Sequence, residues 1–108
     1  MTATPNIISI VIDTATAASN ALVSAVAGKR VTVYGLFIQS AGTVTVTFED
    51  DDGTNLVGPL DFQARERLEW YVRDNFVPYV QTQTGDGFNM LLSGAIQVSG
   101  VLWYSQDN

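Results

Sequence analysis

The amino-acid sequence predicts an all-β protein, an antiparallel β-sandwich of jelly-roll-like type. Three observations carry that reading. Apolar and polar residues alternate with a period of two along most of the chain, the pattern of half-buried strands. Turn signals recur at short, regular spacing, at Gly28-Lys29, Asp52-Gly53, Gly58-Pro59, Asn75, Pro78 and Gly85-Asp86-Gly87. The 108 residues contain no cysteine, so the fold has to rest on its core alone. A domain of this size buries roughly 65% of its unfolded surface, which is enough for that. No repeat or linker divides the chain, so residues 1–108 are read as one domain.

The elements follow in order. Met1 to Ile7, with Pro5, reads as an N-terminal arm able to order on a neighbour. Ile8, Ile10 and Ile12 alternate with Ser9, Val11 and Asp13 in a first strand. Ser19 to Val26 fits a short helix or an alanine-rich strand. The tight connection Gly28-Lys29-Arg30 favours the strand. Val31 and Val33 share one face of the next strand and Leu36 and Ile38 the other, so a bulge or bend is expected at Gly35. Thr43 to Glu49 alternates strictly. Ser40-Ala41-Gly42 is expected to join these two strands as a hairpin, with Gly42 in the left-handed position. Further strands carry Leu68, Trp70 and Val72, then Phe88, Met90 and Leu92. The last carries Ile96, Val98, Leu102 and Tyr104, with a kink at Gly100.

Composition narrows function. Five basic and eleven acidic residues give a net charge of −6, which opposes phosphate-backbone binding, so no nucleic-acid partner is expected. Thr14 to Gly28, the longest weakly polar stretch, falls short of the roughly 20 apolar residues of a membrane helix. The N-terminus lacks the basic start of a secretory signal. A product made in the cytoplasm, and exported only within a larger particle or by lysis, is expected. Histidine is absent, and with it the usual general base and the commonest transition-metal ligand. Asp61, Glu66 and Glu69 lie near Trp70 and Tyr71, but Glu66 and Glu69 fall on opposite faces of a strand. A glycosidase needs two carboxylates facing each other across a cleft. No enzyme, catalytic residue or cofactor is expected.

The run Glu49-Asp50-Asp51-Asp52-Gly53 is the one charge block. Aspartates on a glycine turn suit calcium. The helix–loop–helix calcium pattern fails, however, because it would put Phe48 at the first ligand position and Pro59 where the bidentate glutamate belongs. The block is read as a solvated hairpin tip without a metal. Trp70 and Phe88 fit buried strand faces. Trp103 is off-phase from Leu102 and Tyr104, and Tyr71 lies among charges. Arg65, Arg67 and Arg73 place three of the five positive charges within nine residues. Trp103, Tyr71, Tyr104 and these three arginines are therefore the interface candidates, since Tyr, Trp and Arg are enriched at binding surfaces. A charged, protected edge strand is the plainer reading of the arginines. Stacking on a carbohydrate would use Trp103, Tyr71 and Tyr104.

Gly28 to Gly35, Ser40 to Phe48 with its acidic tip, Leu56-Val57-Gly58-Pro59-Leu60 and Thr84 to Gly100 follow one another in an order that resembles a known family. It is the small all-β virion proteins of tailed bacteriophages, which include capsid decoration, or cement, proteins. The resemblance covers residues 28–104, and the charged stretch Gln63 to Asp74 departs from the more neutral segment of such proteins. It implies a protomer that forms a homotrimer and binds the major capsid protein on the outside of the assembled head. A tail, neck or fibre-associated virion adaptor, and a carbohydrate-binding module, are the alternatives.

Overall fold

The computed structural model describes residues 5–107. Among the described residues, nine strands run β1 (Ile8–Thr14), β2 (Ala18–Val23), β3 (Arg30–Ser40), β4 (Val44–Glu49), β5 (Asn55–Phe62), β6 (Arg67–Trp70), β7 (Val80–Gln81), β8 (Phe88–Leu92) and β9 (Val98–Asp107). They form two antiparallel sheets packed face to face. One has the order β1-β9-β3-β6, with β7 also paired to β3, and the other has the order β2-β8-β4-β5. The expected β-sandwich is observed. Met1 to Thr4 of the expected arm lie outside the described residues, and residues 5–7 precede β1 without regular structure.

Alternation decides what each strand buries. Ile12, Val31, Val33, Leu36 and Ile38 from one sheet meet Val46, Phe48, Phe88, Met90 and Leu92 from the other, all at most 1% exposed. The rings of Phe48 and Phe88 stack with centroids 5.4 Å apart at the centre of this layer. Burying such a side chain contributes about 2 kcal/mol, and removing it would also leave a cavity. The phase change in β3 takes the form expected, because the register against β9 shifts between Val33 and Gly35. Both halves of β3 thereby turn their branched residues inward.

Three expectations are corrected. β3 and β4 are not a hairpin, since they belong to different sheets and the Ser40-Ala41-Gly42 loop crosses between them. Its backbone bonds go elsewhere, from Ser40 N to Glu66 O at 3.0 Å and from Ala41 N to Gln97 O at 2.8 Å. Gly58-Pro59 is not a turn. It lies inside β5, where the register against β4 shifts, and β5 is an edge strand that tolerates a proline without N–H. Gly100 is not a kink but a close approach: a Cβ there would collide with the carbonyl of Phe37 on β3.

Candidate functional site

The outer face of the β1-β9-β3-β6 sheet is assembled by register. Leu36 pairs with Leu102 and Ile10 with Leu102, which turns those three inward and their neighbours outward. Val11, Val101 and Phe37 therefore form a row across three strands, ending at Glu69 of β6. The next row holds Ser9, Trp103 and Gly35, with Tyr71 beyond the end of β6. Val11 is 79% exposed and Tyr71 is 73% exposed, while Phe37, Val101 and Trp103 are half-buried. Leu36, Phe37, Glu69, Trp70, Tyr71, Val101 and Trp103 line an open depression of about 260 Å³. Gly35 keeps this region flat, since a Cβ there would meet the Trp103 ring, the Trp70 carbonyl and Val72, each at 3.0 Å.

Polar groups frame the apolar row. The Tyr71 hydroxyl donates to Glu69 Oε2 at 2.6 Å, and Arg67 Nε lies 3.6 Å from Glu69 Oε1. The hydrogen bond to Glu69, and then its charge, hold the Tyr71 phenol above its ordinary pKa. The Arg67–Glu69 pair is exposed and contributes little to stability. On the other side of the row, Gln97 Nε2 donates to Asp13 Oδ1 at 2.6 Å and to Ser99 Oγ at 3.0 Å.

The interface candidates separate in space. Trp103, Tyr71 and Arg67 share the outer face. Tyr104 does not join them: it pairs with Val33 and Ile8 and packs, partly buried, against the core. Its phase with Leu102 already pointed there. Arg73 stacks over the Tyr79 ring at 4.0 Å, and that ring stacks on Trp70 with centroids 4.6 Å apart. Arg65 sits at the far end of β6 beside Gln39, Ser40 and Gln97, in a left-handed conformation with φ 68°. The three arginines thus line the β6 edge without forming one patch. Val11, Phe37 and Val101 were missed as surface residues. Each is an apolar residue out of phase with the inward residues of its strand, the same signal that singled out Trp103.

The carboxylates weighed for acid–base work each hold local structure. Glu66 accepts from Gln63 N at 2.6 Å, and Asp61 accepts from the Thr45 hydroxyl at 2.9 Å. The acidic tip is more than a solvated turn. Gly53 has a positive φ of 81°, but Asp50 is buried and Asp51 reaches across to Gly87 N at 3.0 Å and Asn89 Nδ2 at 2.9 Å. No family model matches the chain, and neither curated proteins nor solved structures give a match.

Proposed function

We propose that the chain is a non-enzymatic virion protein, a capsid decoration or cement protein that docks by the outer face of its β1-β9-β3-β6 sheet. The observation that carries this reading is the row Val11–Val101–Phe37 with Trp103 and Tyr71 beside it, apolar and aromatic surface on a small acidic protein. Apolar surface gathered in this way, with a polar rim, is the composition of a binding surface. Topology adds support. The strand pairs nest as β1 with β9, β2 with β8, β3 with β6 and β4 with β5, the order made by rolling one long hairpin into two sheets. This nesting supports reading the sandwich as jelly-roll-like, an architecture used by viral capsid and lectin domains. Fold alone does not fix function; the resemblance of residues 28–104 to phage virion proteins supplies the class.

Three copies closed about a threefold axis would cover part of the row and leave the rest for the major capsid protein. Many copies on a lattice then convert modest contacts into avidity, and binding only the assembled shell stabilises it by mass action. The test is native mass across a concentration series, followed by binding to expanded heads. A particle of three times the 11.7 kDa chain mass is expected. Val11→Lys should shift it to monomer and weaken head binding, with stability changed by no more than about 0.5 kcal/mol. A chain that stays monomeric and leaves expanded heads bare would sink the proposal. A copy number of about a dozen or fewer per particle would replace it with a tail, neck or fibre adaptor.

The depression beside Trp70, Tyr71 and Trp103 favours one second reading, carbohydrate stacking on the same aromatic groups. Tryptophan fluorescence that stays constant while sugars are titrated would remove it.

A further inference from the structure

Two loops at one end of the sandwich bring three carboxylates to a single point. Asp50 and Asp52 lie in the turn between β4 and β5, and Asp86 lies in the turn before β8. One carboxylate oxygen from each residue lies within 4.8 Å of the other two. Both turns are held in place by other groups. Asp50 Oδ1 accepts the N–H of Asp52 at 3.0 Å and of Thr54 at 3.1 Å. Asp86 is fixed by the Thr82 hydroxyl, which donates to its carbonyl at 3.1 Å, and by its own N–H, which donates to Gln83 O at 3.0 Å. Asp51 ties the two loops together through Gly87 and Asn89.

Two carboxylate oxygens of the cluster are unsatisfied. Asp50 is 1% exposed, and its Oδ2 is buried with no hydrogen-bond donor among the described residues. Oδ2 of Asp86 is buried and unpartnered as well. A buried carboxylate oxygen without a donor is costly, and two of them in one acidic cluster cost more. Partial burial, and then the charges of Asp52, Asp50 and Asp51, hold the Asp86 carboxyl above the usual range. A cation placed among these oxygens relieves the same repulsion.

We propose that Asp50, Asp52 and Asp86 bind one calcium ion that ties the β4–β5 turn to the turn before β8. Oxygen-only donors select a hard cation, and the chain contains no cysteine or histidine to favour a transition metal. Oxygens gathered within 4.8 Å of one another from two loops suit the flexible coordination of calcium at about 2.4 Å. Magnesium, at about 2.1 Å, demands near-ideal octahedral geometry and gives up its waters reluctantly, so irregular loop carboxylates suit it less. The ligands come from two separate loops, which is why no single-loop spacing in the sequence announced the site.

The experiment is calorimetric titration of the chelated, full chain with Ca²⁺ and with Mg²⁺, beside thermal unfolding in each. Ca²⁺ is expected to bind saturably at one ion per chain and to raise Tm by about 5 °C. Asp52→Asn and Asp86→Asn should each weaken Ca²⁺ binding at least about tenfold while folding without calcium as well as the parent chain. Circular dichroism of both variants establishes that they fold. Three outcomes would overturn the proposal: no heat and an unchanged Tm up to about 10 mM Ca²⁺, an equal response to Mg²⁺, or folded variants that bind as tightly as the parent.

Discussion

The acidic end and the outer sheet face have opposite deficits. At the acidic end, four aspartates converge from two loops, and two of their buried oxygens lack any donor. On the sheet face, polar groups are paired at the rim while Val11 is exposed and Val101, Phe37 and Trp103 are only half-covered. The first deficit is electrostatic and local, so a single small ion can meet it. The second is one of area, so only a second surface can. The two regions also differ in how they are built. The acidic end depends on backbone atoms at close quarters, whereas the face consists of side chains standing on a regular ladder. Substitutions should therefore be felt in folding at the end and in association at the face.

The largest contrast is expected at Gly87. A Cβ there would collide with the Val23 carbonyl and lie 3.0 Å from Ala25 N, and the Gly87 N–H is the one that Asp51 accepts. Gly87→Ala should cost about 3 kcal/mol in chemical denaturation. A cost as small as that of an exposed face substitution would show that the two loops yield, and would remove the basis for the contrast. Asp50 comes next. Asp50→Ala removes the acceptor of two backbone N–H groups and should cost about 2 kcal/mol. Asp50→Asn keeps that acceptor and replaces the orphaned oxygen with a donor facing carboxylates, so in calcium-free buffer it should cost less than about 1 kcal/mol. Equal losses for the two variants would mean that the charge both of them remove, rather than the turn acceptor that only alanine removes, sets the energy of this end.

Much of the fold was legible in the sequence because alternation is a local signal. Thr43 to Glu49 and Phe88 to Leu92 announced their inward faces, and the phase change around Gly35 announced the β3 bulge. Sheet membership is not local. Ser40-Ala41-Gly42 has the composition of a hairpin loop, yet its donors are satisfied by Glu66 and Gln97, more than twenty residues away in sequence. Nothing in the loop itself records that. Pro59 looked like a turn residue because an edge strand accommodates it as well as a turn does. The outer face was half legible: Trp103 stood out of phase, and so did Val11, Phe37 and Val101, but single apolar residues on an outward strand face are common without a binding role. The acidic site was legible as charge but not as geometry, since Asp86 lies 34 residues beyond Asp52.

At the rim of the sheet face a substitution should change titration more than folding. Tyr71 and Glu69 share a 2.6 Å hydrogen bond on exposed surface, and the phenol's pKa is raised by it. A raised folded pKa means that the neutral phenol is favoured in the native chain. The bond's contribution is therefore complete below the phenol's ordinary value and is lost as pH rises through the elevated one. Ultraviolet titration of the folded chain against Tyr71→Phe should assign the latest-ionising exposed tyrosine to position 71, and Glu69→Gln should move that ionisation down. If Tyr71 instead ionised at its ordinary value in the free chain, the rim of the face would be as loose as its apolar centre. If it titrated still later once the face was occupied, burial would have been added to the Glu69 bond, and the pH shift would report docking at that face directly.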